Sequence, residues 1–295
     1  MSWQALMAVV IWGFSFIATK VALREIHPFT LLTLRFGMGS LLLLIVQLQK
    51  DRRFLLIFSS KDWFSILLLA IVGISGHTLL QAYGLIYTTA INTGWIIAIM
   101  PIFITIAARF YLNEPITLRK IVGIMIGFFG IFLVISKGEI SLSILRLGST
   151  FGDSLVLISA LTWTAFTVGG RGFLSRFRPL CAITPIMIVG SLTALPFTFL
   201  KWEWNLLPHL TLSAWASILF LGIFSSGLAY LFWYAALERS DSSMVGMYLY
   251  LEPFVTLIGA YLFLDEKIEW MTLAGGGMVL FGVYLATRKP SRQKY

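Results

Sequence analysis

The sequence predicts an all-α integral membrane fold: ten transmembrane helices, built as two inverted-topology five-helix repeats. Three observations carry this prediction. First, the 295-residue chain is 58% hydrophobic and 12% charged, with a mean hydropathy of +0.89. A soluble domain is about 45–50% apolar and about 25% charged. This chain has too little polar surface to cover a globule, so it must lie in lipid. Second, the apolar runs are long and continuous, not alternating, which selects helices over barrel strands. Third, the chain repeats itself. Trp12 is answered by Trp163, Pro28 by Pro179, Ser75-Gly76 by Ser226-Gly227 and Tyr83 by Tyr234, all 151 positions on. After a one-residue insertion, Pro101, Leu112, Glu114, Gly123 and Gly130 are answered by Pro253, Leu264, Glu266, Gly275 and Gly282. Matched pairs at a nearly fixed offset mark a duplication. Five spans per copy is an odd number, so the copies insert in opposite directions, as in carriers that rock about a shared midplane site.

A hydrocarbon core needs about 20 apolar residues per helix. On that ruler the spans fall at 3–23, 29–48, 63–86, 91–112, 117–136, 152–172, 180–200, 213–237, 243–264 and 269–287. The first is a retained span, not a signal peptide: no Lys or Arg precedes it and no small-residue cleavage site follows. Spans five and ten are studded with glycines (Gly123, Gly127 and Gly130; Gly275, Gly276, Gly277 and Gly282). This small-residue pattern lets helices touch, so these two spans read as a packing or dimer-facing scaffold and not as cavity lining. The organisation is a first repeat over 1–136, a connection over 137–151, a second repeat over 152–287 and a basic tail over 288–295.

Orientation follows from Lys and Arg. With the N-terminus inside, inner segments hold fifteen of them: Lys50, Arg52, Arg53, Lys61, Arg109, Arg119, Lys120, Arg171, Arg176, Arg178, Arg239, Arg288, Lys289, Arg292 and Lys294. Outer segments hold six: Lys20, Arg24, Lys137, Arg146, Lys201 and Lys267. Both termini are therefore expected in the cytoplasm, with the protein multi-pass in the inner membrane. The net charge of +9 reflects this loop bias; it does not point to nucleic acid, since no basic stripe with interleaved aromatics occurs. One cysteine, Cys181, and three scattered histidines, His27, His77 and His209, build no disulfide framework and no metal signature. No nucleotide-binding glycine loop is present, so no cofactor is expected and ATP does not power this chain directly. The expected partners are a small-molecule substrate and the lipid bilayer.

Polar groups inside a membrane are expensive and need a partner or a watery cavity. His77 and Gln81 lie one turn apart on one face of span three, where they either hydrogen-bond a substrate carboxylate or amide or glue neighbouring helices. Trp12 and Trp163 fall near the middles of spans one and six at equivalent repeat positions. Tyr230 and Tyr234 share a face at i,i+4. With Trp95 and Tyr248 they could form an aromatic box that stacks on planar substrates or holds a cation; the alternative is plain helix packing. Ser15 joins this substrate-binding set. Glu252 precedes Pro253 in span nine, where it could bind an amino group, carry a proton or satisfy backbone exposed by a kink. Pro101 marks the equivalent place in span four. Only Glu252 and His77 are eligible to couple protons. Lys20 and Arg35, near the outer ends of spans one and two, read as snorkelling or structurally paired; the alternative is an electrostatic funnel for anions.

In their order, spacing and duplication these residues resemble the drug/metabolite transporter superfamily, specifically the EamA-type exporters with ten helices. The resemblance rests on Trp12-Gly13 with Lys20, Pro28 with Arg35, Tyr83, Pro101 and Leu112-Asn113-Glu114, then on Trp163, Tyr234, Leu251-Glu252-Pro253 and Leu264-Asp265-Glu266. It implies efflux of amino acids or other small metabolites through a central cavity formed mainly by spans one, three, four, six, eight and nine, with the aromatic amino acid exporters the nearest in character. It also implies a gating or structural role for the Glu252-Pro253 step. An integral-membrane enzyme would want clustered His or carboxylates, which the chain lacks.

Overall fold

The computed structural model describes residues 2–112, 118–136, 148–174, 176–201, 205–240 and 245–287. Among the described residues every regular element is helical. The helices are α1 (Trp3–Ala22), α2 (Pro28–Lys50), α3 (Ser60–Tyr87), α4 (Ala90–Ile97 continuing as Met100–Leu112), α5 (Leu118–Ser136), α6 (Gly148–Leu174), α7 (Pro179–Lys201), α8 (Leu212–Arg239), α9 (Met247–Leu251 leading into Glu252–Leu264) and α10 (Trp270–Thr287). Seven are long and apolar enough to cross a membrane, and three shorter apolar helices stand at the expected fifth, ninth and tenth positions. Phe128, Phe129, Leu262 and Phe263 face outward and uncovered, as lipid-facing residues do. The connection 137–147, the tail 288–295 and Glu114 lie outside the described residues, so the expectations placed on them are not addressed.

Local chemistry sets the ends. The Ser2 side chain accepts from the Ala5 N–H at the start of α1, Ser59 and Asp62 close a reciprocal capping box on α3, and Thr211 caps α8. The fourth span is not one helix, as expected, but two pieces joined at Ala98–Ile99. Pro101 is the reason: it has no N–H to donate, and its ring would collide with the carbonyl of Ile97, where the first piece ends. The ninth span responds to Pro253 at the matching position by starting as a tight 3₁₀ turn that becomes α-helical at Glu252.

The two repeats also share a deformation that the sequence reading missed. Both third helices widen into π-helical turns, at Ala70–Gly76 in α3 and Phe220–Ala229 in α8. Such bulges frequently occur at functional sites. Each is pressed by a glycine from the partner repeat. A Cβ on Gly39 of α2 would come within 2.9 Å of Ser226, and one on Gly190 of α7 within 2.6 Å of Ile74. Gly39 and Gly190 are themselves 151 positions apart.

Packing follows the same exchange. α3 packs on α6 as α8 packs on α1, and α4 on α6 as α9 on α1; α2 pairs with α7 and α5 with α10. In the last pair Gly130 meets Gly275 while Gly282 meets Gly123, each backbone against backbone. Rising numbers on α5 meet falling numbers on α10, so these helices run antiparallel, and the glycine stripes face each other.

Candidate functional site

Where the repeats meet, a small chamber lies at the middle of the bundle. α1 contributes Trp12, Ser15 and Phe16; α2, Arg35; α3, His77, Thr78 and Gln81; α4, Ile97 and Met100; α6, Trp163; α8, Tyr230; α9, Leu249 and Glu252. These are the six helices expected, plus α2. The free volume is about 30 Å³, room for one or two waters. The chamber is therefore too small to hold a metabolite in this conformation.

The duplicated tryptophans touch. The rings of Trp12 and Trp163 meet edge to face at 5.0 Å between centroids. Tyr230 stands edge-on to both, at 5.5 Å and 5.7 Å, and Trp233 backs Trp12 at 5.3 Å. The widened turn of α8 supplies a hydrogen-bond partner for one of them: Trp12 Nε1 donates to the Ser225 carbonyl at 3.2 Å. From the same turn, Ser226 Oγ accepts from Arg35 Nε and Ser225 Oγ from Arg35 Nη2, both at 3.0 Å. His77 lies 5.1 Å from the Trp163 ring, and its Nδ1 is 2.9 Å from the Ser159 carbonyl. A carbonyl can only accept, so Nδ1 is the donor of this bond. Glu252 is 3% exposed, and its carboxylate makes no hydrogen bond to a described residue. Its backbone carbonyl accepts from Thr256 Oγ1 at 2.9 Å.

Of the residues singled out from sequence, Trp12, Ser15, His77, Gln81, Trp163, Tyr230 and Glu252 come together here. Five others are placed elsewhere. Trp95 lies against Gly276 of α10 and 5.7 Å from Phe254. Tyr234 packs on Phe166 at 5.5 Å, with its hydroxyl beside Gly170. The Tyr248 hydroxyl accepts from the Ser2 N–H at 2.6 Å, at the end of the bundle where the chain starts. Pro101 acts through the backbone break beside the chamber, as Pro253 does beside Glu252. Periodicity fixed that Tyr230 and Tyr234 share a helix side; it could not fix the depth at which only Tyr230 reaches the chamber, while Tyr234, one turn on, is buried against Phe166.

Arg35 is the residue whose place the sequence reading missed. Snorkelling does not describe it: it is 5% exposed and fixed by two serines of the opposite repeat. The available signal is depth. It lies seven residues beyond Pro28, roughly 10 Å into the helix at 1.5 Å per residue. Lys20 is paired, as one of its two readings held: its Nζ is 3.0 Å from Glu266 Oε1 and 2.8 Å from the Thr88 carbonyl. Glu266 also accepts from the Ala90 and Ile91 N–H groups at the start of α4, at 2.9 Å and 3.0 Å. This contact ties α1, α4 and α9 together at the end of the bundle remote from Ser2.

Comparison with known proteins agrees with this architecture. The model of the EamA-like transporter family matches twice, over residues 2–136 and 150–288, one match per repeat. An uncharacterized transporter of Archaeoglobus fulgidus is 31% identical over 288 residues, covering 96% of this chain and 97% of that one. The uncharacterized transporter YyaM of Bacillus subtilis is 27% identical over 283 residues, covering 93% of this chain and 89% of its own. A crystal structure of a protein 18% identical in sequence superposes with a TM-score of 0.72 over 97% of both chains, which shows a common fold. The chain is thus a multi-pass membrane transporter and belongs to the EamA-like transporter family.

Proposed function

We propose that this protein is a secondary transporter that exports amino acids or related small metabolites by alternating access through the central chamber. The observation that carries the reading is the chamber's construction: both repeats wall it, and their equivalent tryptophans meet inside it. A site shared by two halves is exposed to either side in turn when the halves rock. The antiparallel glycine contact of α5 with α10 supports inverted repeats. The small free volume of the chamber and the Lys20–Glu266 contact at one end support a carrier that must open to load. The excess of basic residues in alternate loops supports an inner-membrane protein with both termini in the cytoplasm. The named transporters among its relatives favour a carrier over an enzyme.

Counterflow tests this reading. Proteoliposomes loaded with unlabelled compound should take up the labelled compound faster than empty ones, because only a carrier with a reorienting site shows trans-stimulation. A screen across amino acids and small metabolites that yields product formation, or uptake indifferent to trans-compound, overturns it.

A further inference from the structure

The membrane face of the junction between α3 and α6 is not filled. A groove of about 380 Å³ runs along it, walled by Phe64, Leu68 and Val72 of α3 and by Gly169, Gly172 and Phe173 of α6. The two glycines make it: both are exposed, and a Cβ on either would meet nothing within 4 Å. From Phe64 to Val72 the groove follows α3 for about 12 Å, at 1.5 Å per residue. One leaflet's hydrocarbon is about 15 Å deep, half of the whole core. Arg176 stands at the mouth. Its guanidinium lies 5.8 Å and 5.3 Å from the ring centroids of Phe173 and Phe177, and its Nη2 is 2.7 Å from Asp62 Oδ1. The side chain is still 54% exposed, and an ion pair to one carboxylate oxygen leaves N–H donors of its fork over.

The surroundings of the mouth are basic. Arg176 also lines a recess with Lys50, Asp51, Arg178 and Glu238. The bordering segments 50–62 and 176–178 hold six cations, Lys50, Arg52, Arg53, Lys61, Arg176 and Arg178, against Asp51 and Asp62. Between them Leu55, Leu56 and Ile57 are exposed. Exposed apolar side chains beside clustered Lys and Arg suit an anionic headgroup layer. The equivalent junction of α8 with α1 is built differently. Ala18 and Val21 stand where Gly169 and Gly172 do, and Trp215 where Phe64 does, 151 positions apart. Ala18 and Trp215 pack in one apolar cluster. Arg176 is answered there by Glu25, which is bonded to Thr211.

We propose that this groove holds one anionic phospholipid, with an acyl chain between α3 and α6 and the phosphate on Arg176 and the cations beside it. A guanidinium fork suits a phosphate. A bare anion would use the mouth and not the groove, and a neutral lipid the groove and not the mouth. On the topology proposed above, the leaflet is the cytoplasmic one. The lipid would lie against the joint between the repeats. Val72 belongs to the π-helical turn of α3, and Phe166, also in the lining, meets Trp163 of the chamber at 5.2 Å. An occupant therefore braces the junction of the two repeats from the membrane side.

The test titrates the purified full chain, delipidated in detergent, with phosphatidylglycerol, phosphatidylcholine or inorganic phosphate. Melting temperature and the lipid retained per chain, by native mass spectrometry, are both read. One phosphatidylglycerol should be retained, roughly 10-fold more tightly than phosphatidylcholine, the scale of a hydrogen bond to a charged group. Inorganic phosphate should leave the melting temperature unchanged. Arg176→Gln should bring phosphatidylglycerol down to the level of phosphatidylcholine. Asp62→Asn, which breaks the ion pair but keeps the guanidinium, should preserve the preference and so separates a lipid contact from a structural one. Gly169→Leu, placed where a side chain has open space, should weaken both lipids without unfolding the chain. Equal retention of the two lipids, a preference that survives Arg176→Gln, binding that survives Gly169→Leu, or the same stabilisation by inorganic phosphate alone overturns the proposal. These readouts are of binding, so they are decided independently of counterflow and of the carrier reading.

Discussion

Trp163 occupies a position that two kinds of evidence single out. It is duplicated as Trp12, and the two rings meet in the chamber at 5.0 Å. Trp270, by contrast, is exposed at the start of α10. Trp163→Ala should lower exchange several-fold at matched expression, since each lost aromatic contact is worth about 0.5–1.5 kcal/mol beyond area. Trp270→Ala should leave exchange unchanged. Equal rates for the two variants would reduce Trp163 to a packing residue. A second residue-scale feature is Asp265, the sole non-glycine with positive φ, at 53°, among the described residues. This left-handed turn ends α9 and carries Glu266 back toward Lys20 and α4. Asn and Asp tolerate that conformation where β-branched residues do not. Asp265→Asn should therefore be neutral in a detergent melting assay, and Asp265→Val should cost about 1–2 kcal/mol. A neutral Asp265→Val would mean the turn is not needed. The repeat carries Asn113 at the matching place, another residue type that accepts this turn.

At the scale of elements, the bulged third helices and the glycines that press on them form two equivalent joints between the repeats. Gly39 has no room for a methyl group, since its nearest obstacles are backbone and Cβ atoms of Ser226 that cannot swing away. Gly37, two residues earlier on the same helix, has nothing closer than Ser191 Oγ at 3.8 Å. Gly39→Ala is expected to destabilise by about 1–3 kcal/mol, the usual scale of overpacking. Because Ser226 also holds Arg35, the same variant should weaken substrate exchange. Gly37→Ala is the matched control and should be silent or slightly stabilising, as a glycine-to-alanine change in a helix ordinarily is. Comparable melting temperatures for the two variants would show that the Gly39 contact relaxes freely.

For the whole molecule, the alternating access proposed above requires the two ends to open in turn. On that proposal the end held by Lys20, Glu266 and the start of α4 comes apart once per cycle. In a Cys181→Ser background, joining Lys20→Cys to Glu266→Cys with a short bifunctional thiosulfonate reagent, which links them through two disulfides, should arrest counterflow, and a reductant should restore it. Full counterflow with the cross-link intact would place the moving parts elsewhere. The proposed topology has its own check: a cysteine at Leu145, in the connection between repeats, should react with an impermeant reagent from outside the cell. Labelling only in inverted vesicles would reverse the assignment of sides.

The sequence by itself determined the helical membrane class, the number and order of the helices, the duplication and, through the placement of Trp12, Trp163, His77, Gln81 and Glu252, most of the chamber. Hydropathy and period are local quantities, and a membrane makes them decisive because every backbone group must be satisfied within its own helix. Pro253 announced a kink for the same local reason, whereas the break before Pro101 was not expected. Tertiary structure alone decided what depends on helix rotation and on contacts between distant residues. It placed Tyr230 at the chamber and Tyr234 one turn beyond it, set Trp95 against Gly276, and brought Gly190 and Gly39 against the widened turns of α3 and α8. It also separated Lys20 from Arg35, two cations that look alike along the chain. One meets a carboxylate at an end of the bundle, and the other is held by serines at its centre. Which surface a long side chain reaches depends on the neighbours that the fold places around it, and those neighbours lie 190 or more positions away.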